Sequence, residues 1–67
     1  MVGKIKNIVQ ERGFGFIRPD GGGADIFFHA RQLVNGLGID DLSAGDTVVF
    51  DTEPSDKGPR AVNVQRV

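Results

Sequence analysis

The stretch RGFGFIR at residues 12–18 has two phenylalanines interleaved with glycines and bracketed by arginines. In a β-strand, successive side chains point to opposite faces, so Phe14 and Phe16 share one face while Gly15 and Ile17 share the other. Phenylalanine is usually buried, which favours the first face as the core. The face with Gly15 and Ile17 is an equally good core face if the two rings bind a ligand. The pattern of this strand alone therefore leaves both orientations open.

Short apolar runs on both sides of this stretch, separated by Gly, Pro, Asp and Asn, predict further strands. The predicted strands lie near residues 2–9, 13–18, 25–29, 47–53 and 60–67. Residues 19–23, PDGGG, suit a tight hairpin turn, and residues 30–33 are long enough for one helical turn. Five strands at this spacing predict a small all-β barrel that forms one domain over residues 1–67.

Alternation assigns the core faces of the other strands. In the third strand Ile26 and Phe28 share one face, and Phe27 and His29 share the other. Burying a histidine requires a hydrogen-bond partner, so we expect Ile26 and Phe28 in the core and Phe27 outside beside His29. The same reasoning predicts two more core pairs, Val48 with Phe50 and Val62 with Val64.

Composition excludes several classes of protein. The 67 residues include no cysteine, so disulfides, thiolate metal sites and cysteine nucleophiles are excluded. No apolar run is long enough to cross a membrane and no signal peptide is recognisable, so we expect a soluble, cytoplasmic protein. His29 is the only histidine, which argues against a metal site. No phosphate-binding loop or nucleophile with a base partner is found, so we expect neither an enzyme nor a cofactor.

The net charge of −1 hides an uneven distribution of charged residues. Residues 1–18 carry four cationic side chains and one acidic one, and residues 57–67 carry three cationic side chains and no acidic one. Residues 19–56 carry eight acidic side chains and a single arginine. If the two ends meet in the fold, they form a basic patch on an acidic protein; an ordinary mixed surface is the alternative.

Residues 12–17, RGFGFI, match most of a ribonucleoprotein motif, in which aromatic residues alternate with glycine after a basic residue. Glycines in such a strand leave room around the rings and let the sheet curl, and the rings can stack bases. With this motif, the chain resembles a cold-shock domain over almost its whole length. Four further segments match motifs of that family in the family's order: residues 3–6, 26–29, 42–46 and 58–64.

The resemblance implies an antiparallel five-stranded Greek-key barrel of the oligonucleotide/oligosaccharide-binding type, with one short helical turn after the third strand. It implies single-stranded RNA or DNA as the partner, and a role as an RNA chaperone or as a regulator of transcription or translation. We expect a monomer, with a strand-exchanged dimer as the alternative. The implied nucleic-acid-binding residues are Phe14, Phe16, Phe27 and His29 for stacking, and Lys6, Arg12, Lys57 and Arg60 for the backbone.

Three surface stacking positions of the family pattern lack an aromatic residue in this chain. Asn7 stands where the family usually has tryptophan, Ala30 where a phenylalanine often follows the histidine, and Ile39 where the long loop carries another aromatic residue. Since each stacked base is worth roughly 1–3 kcal/mol, we expect weaker binding or a shorter site than in a typical member. The alternative is a barrel retargeted to a protein partner, with Phe14, Phe16 and Phe27 as its contact residues.

Overall fold

The structure is a computed structural model that describes residues 1–56 and 58–67. Five strands close into a barrel in the order β1-β2-β3-β5-β4. Their bounds are β1 Val2–Val9, β2 Phe14–Pro19, β3 Ile26–His29, β4 Thr47–Glu53 and β5 Arg60–Arg66. The predicted all-β barrel is confirmed, with strand bounds close to those expected from the apolar runs.

Neighbouring strands pair antiparallel except at the position where the barrel closes. β1 pairs antiparallel with β2 and β4, β2 with β3, and β4 with β5. β3 and β5 run parallel, with Phe27 opposite Arg60. A closed ring of five strands cannot alternate direction all the way round, so one parallel pair is unavoidable. The antiparallel expectation therefore holds everywhere except at this closing pair.

The connections between strands contain short 3-10 helices. The helix Ala30–Gln32 follows β3, where one helical turn was expected. Two others, Gln10–Arg12 and Ile39–Asp41, lie between β1 and β2 and between β3 and β4. Within the described residues, no helix has the length and apolar character needed to cross a membrane.

The core contains one face of each strand and Leu42 from the long loop. Ile17 and Phe28 are completely buried, which answers the question raised by RGFGFIR: the Gly15 and Ile17 face is inside. Among the described residues, the hydrophobic core consists of Ile5, Ile17, Ile26, Phe28, Leu42, Val48, Phe50, Ala61 and Val64. The core pairs predicted for the third and fourth strands are thus confirmed.

Gly15 allows the core ring of Phe28 to pack directly against the backbone of β2. A Cβ atom at Gly15 would lie 2.8 Å from the Cζ atom of Phe28 and 2.7 Å from the carbonyl oxygen of Asn7, closer than such atoms approach. We expected Gly15 to leave room around the neighbouring rings of Phe14 and Phe16, and this expectation is wrong. The space it leaves is on the inner face.

In β5 the predicted core pair is half wrong. Ala61 and Val64 are completely buried, whereas Val62 is only partly buried. Asn63 adopts a φ of 52°, in the left-handed region, and β5 has one residue more than β4 between neighbouring paired positions. Such a bulge interrupts the strict alternation of side chains. Ala61 and Val64 consequently share the inner face despite their odd spacing.

Candidate nucleic-acid interface

Three phenylalanine rings form a cluster on the outer face of β2 and β3. Phe16 lies opposite Phe27 in the antiparallel pair, and Phe14 lies opposite His29. The ring centroids of Phe14 and Phe27 are 5.4 Å apart at an interplanar angle of 39°. Phe16 stands edge-on to both, with each centroid distance 6.0 Å. We call Phe14, Phe16 and Phe27 the aromatic face.

The aromatic face is accessible to a ligand although its rings contact one another. Phe27 is 36% exposed, and Phe14 and Phe16 are partly buried. An apolar cluster at the surface of so small a barrel is a feature of binding sites. Aromatic rings with a free face can stack any base, because every base has a π-face.

His29 extends the aromatic face at the end of β3. Its Nδ1 atom accepts a hydrogen bond from the backbone N–H of Arg31 at 3.1 Å. In the neutral imidazole this contact puts the proton on Nε2. Nε2 donates to no group among the described residues, so it is available to a ligand acceptor.

A β-bulge in β1 brings two polar side chains to the edge of the aromatic face. Ile5 pairs with Ile17 and Asn7 pairs with Phe16, so Lys6 is an extra residue in β1. Lys6 and Asn7 are both exposed although they are adjacent, whereas Ile5 before them is buried. Without the bulge, alternation would send one of these two side chains into the core.

Lys6, expected to meet the nucleic-acid backbone, is paired with a carboxylate. Its Nζ atom donates a hydrogen bond to Oδ2 of Asp25 at 2.6 Å. The guanidinium of Arg18 lies on the other oxygen of that carboxylate, with Nε 3.8 Å from Oδ1. The hydrogen bond from Lys6 holds the pKa of Asp25 below its ordinary value, with smaller Coulombic contributions from Lys6 and Arg18. Asp25 is therefore ionised throughout the neutral range.

Arg60 has a similar arrangement on the other side of the aromatic face. It lies opposite Phe27 in the closing strand pair, and its Nε atom donates a hydrogen bond to Oε1 of Glu53 at 2.7 Å. Arg12 is exposed at the end of the helix that precedes β2. The prediction for Lys57 concerns a residue outside the described part of the chain.

The two basic ends of the chain thus flank the aromatic face, with acidic partners that the sequence did not indicate. Lys6 belongs to the basic first segment and Arg60 to the basic last one, on the strands that border β2 and β3. Asp25 and Glu53 come from the acidic middle of the chain and form ion pairs with them. The interface is therefore less cationic than the distribution of charge predicted.

The three positions that lack an aromatic residue, Asn7, Ala30 and Ile39, differ in their surroundings. Asn7 is exposed in the row of Phe16. Ala30 is partly buried, and its backbone N–H donates to the carbonyl of Gly13 at 2.8 Å. Ile39 packs against the core. Of the three, Asn7 alone offers the aromatic face a side chain with hydrogen-bonding atoms.

The whole chain, residues 1–67, matches the family model described as the 'Cold-shock' DNA-binding domain. The chain belongs to the cold-shock domain family. The domain is 44% identical over 62 residues to the cold shock protein ScoF of Streptomyces coelicolor, an alignment that covers 92% of this chain and 91% of the relative. It is 41% identical over 64 residues to the cold shock-like protein CspA of Vibrio cholerae, covering 96% and 90% of the two chains.

The cold-shock domain also resembles a solved structure, Drosophila Unr CSD456, with a TM-score of 0.79 and 23% sequence identity. This match covers 98% of the present chain and about a quarter, 26%, of the other, and it supports the fold. Family membership confirms the expectation of a nucleic-acid-binding domain rather than an enzyme.

Proposed function

We propose that this cold-shock domain binds single-stranded RNA or DNA by stacking bases on the aromatic face. The observation that carries the proposal is the cluster of three exposed or half-exposed rings on β2 and β3, bordered by a cation on each side. His29 continues the stacking surface, and Lys6, Arg12, Lys57 and Arg60 supply contacts to phosphate. This division of labour is the usual one at single-strand sites, where rings hold bases and cations follow the backbone.

The proposed role is that of an RNA chaperone or a regulator of transcription or translation. A protein that binds only unpaired strands shifts the folding equilibrium of RNA towards the unpaired state by mass action, without ATP. Moderate affinity suits this role because the protein must dissociate before the RNA is used. We further propose a cytoplasmic location, in keeping with its similarity to bacterial cold shock proteins, and a monomeric state.

We expect the affinity to be lower than that of a domain with a full set of aromatic residues. Asn7, Ala30 and Ile39 provide no aromatic ring, and each lost stacking contact costs roughly 1–3 kcal/mol, with incomplete additivity. The carboxylates of Asp25 and Glu53 also compete with phosphate for Lys6 and Arg60.

The test is an NMR titration of isotope-labelled protein with a six-base oligothymidine at two salt concentrations. Chemical-shift changes are expected at Lys6, Arg60, residues 12–17 and residues 27–29. They should weaken at the higher salt, because contacts to phosphate release counterions. Unchanged spectra at millimolar ligand would overturn the proposal. Nanomolar binding at physiological salt would instead contradict the expected loss of affinity.

A protein partner is the second candidate function, and the ion pairs favour it. Lys6 and Arg60 already have carboxylate partners, and Phe27 is an exposed aromatic residue of a type that is enriched at protein interfaces. Salt dependence separates the two functions. Nucleic-acid binding gives a negative slope of log affinity against log salt, whereas a module for protein contacts alone gives no oligonucleotide binding to measure.

A further inference from the structure

The side chain of Asn7 is the polar group nearest in register to Phe16. The two residues are direct partners in the β1–β2 pair, and the bulge at Lys6 turns Asn7 to the outer face. Opposite residues in a regular antiparallel pair have Cβ atoms roughly 4.5–5.5 Å apart, a spacing that puts the Asn7 amide within reach of a base stacked on Phe16. Among the described residues, no group is hydrogen-bonded to the Asn7 side chain.

The surroundings of Asn7 leave room for a nucleotide. An open groove of about 860 Å³ runs along the end of β1, between residues 6–11 and residues 42–44. Asn7 stands where this groove meets the aromatic face. A base stacked on Phe16 would have one edge next to β1, where Asn7 is the strand partner of Phe16.

Stacking and edge contacts discriminate between bases differently. A phenylalanine ring accepts any base, so a site made of rings alone has little base preference. An asparagine amide carries one acceptor oxygen beside a donor nitrogen and matches a base edge with the complementary pair. Adenine has this pair at N6 and N7, and asparagine commonly forms two hydrogen bonds with it.

We propose that Asn7 is a specificity-determining residue that reads the edge of the base stacked at Phe16 and favours adenine there. The inference rests on the proposed function, since it requires a base on the aromatic face. Asn7 stands where the family usually has an aromatic residue. A ring that stacks on any base is thus replaced by an amide that recognises a particular base edge. Lys6, the neighbouring residue in the bulge, meets the phosphate backbone at the same place.

The test measures the affinity of six-base strands that contain one adenine among thymines, with the adenine moved through each position. At the position that favours adenine most, the adenine is replaced by purine, which lacks the N6 amine. The proteins are the wild type, Asn7→Leu and Gln65→Leu. Leucine keeps the approximate shape of asparagine without its hydrogen bonds. Gln65 is the matched control, because it carries an exposed side-chain amide on β5 that accepts a hydrogen bond from Asn35.

The wild type should bind the adenine strand about 2- to 10-fold more tightly than the purine strand, as expected for one hydrogen bond. Asn7→Leu should bind the two strands equally, and Gln65→Leu should keep the wild-type ratio. Circular dichroism and thermal unfolding establish that each variant is folded.

Three results would overturn the inference. If the wild type binds oligothymidine but has the same affinity for the adenine strand and the purine strand, Asn7 does not recognise the edge of the base. The proposed function still stands in that case. The same conclusion follows if Asn7→Leu retains the ratio. If the wild type binds none of the strands, the proposed function and the inference fail together.

Discussion

Phe27 and Phe28 are the same residue type at adjacent positions of one strand, and they have opposite roles. Phe28 is completely buried and packs against Gly15, whereas Phe27 is 36% exposed and contacts two other rings of the aromatic face. Their hydrophobicity is identical, so it cannot explain the difference. The direction in which each side chain leaves the strand decides whether the ring stabilises the fold or faces a ligand.

The two faces of the β2–β3 hairpin therefore contribute to different properties of the molecule. Substitutions on the inner face should lower the free energy of unfolding. Substitutions on the outer face should lower the affinity for single strands and leave the fold in place.

The largest effect is expected for Phe28→Ala. Removing a fully buried phenylalanine costs about 3–5 kcal/mol, a large part of the stability of so small a domain. Thermal unfolding followed by circular dichroism should show a variant that is unfolded or nearly so at room temperature. Phe27→Ala is the matched control and should lose only about 1 kcal/mol, from its aromatic contacts. Equal losses in the two variants would contradict the assignment of faces.

Gly15→Ala tests the close packing between β2 and the core ring. The added methyl group would overlap the ring of Phe28 and the carbonyl of Asn7, so we expect a loss of about 1–3 kcal/mol in urea unfolding. Gly38→Ala is the control, because its Cβ would meet only the end of the Asp41 side chain, at 3.4 Å. A Gly15→Ala protein as stable as the wild type would show that the backbone moves aside without cost.

Phe16→Ala tests the outer face through binding. One lost stacking contact should weaken oligothymidine binding by about 1–3 kcal/mol, which corresponds to roughly 5- to 150-fold in the dissociation constant. Fluorescence anisotropy of a labelled strand measures this change, and circular dichroism monitors the fold. If the substitution unfolds the protein, the ring of Phe16 is a core element after all.

Asp25→Asn should produce the smallest effect and the only gain. The substitution frees Lys6 for phosphate, so affinity should rise by up to about 1 kcal/mol, the usual limit for an exposed ion pair. The dependence of affinity on salt should also become steeper, because one more cation contacts phosphate. Asp51→Asn makes the same change of charge on β4, which borders neither β2 nor β3. If both variants gain equally, net charge rather than the release of Lys6 is responsible.

Much of this architecture could be predicted from local patterns. Alternation predicted the inner positions of β3 and β4, because those strands are regular and their apolar residues repeat at every second position. For β2 alternation alone was undecided, since Phe14 and Phe16 make as good an inner face as Ile17. There the resemblance to a known family was needed to choose between the faces.

The remaining features depend on irregular backbone and on contacts distant in sequence. The bulges at Lys6 and near Asn63 shift alternation by one residue. Asparagine tolerates the left-handed region, but one asparagine within a strand does not by itself predict a bulge. The pairs Lys6–Asp25 and Arg60–Glu53 join segments that are separated in the sequence. Charge counts along the chain could not reveal that acidic residues lie beside these cations.

The parallel pair that closes the barrel also bears on the order in which the surface forms during folding. The rings of the aromatic face lie within one hairpin, β2–β3, and Arg60 belongs to the other, β4–β5. Hairpins form in microseconds, whereas joining two distant hairpins requires the closure of a long loop. We expect the rings to be assembled before Arg60 reaches Phe27. A chain emerging from the ribosome would then expose the rings with only one of their two flanking cations, Lys6, until Arg60 arrives with the last strand.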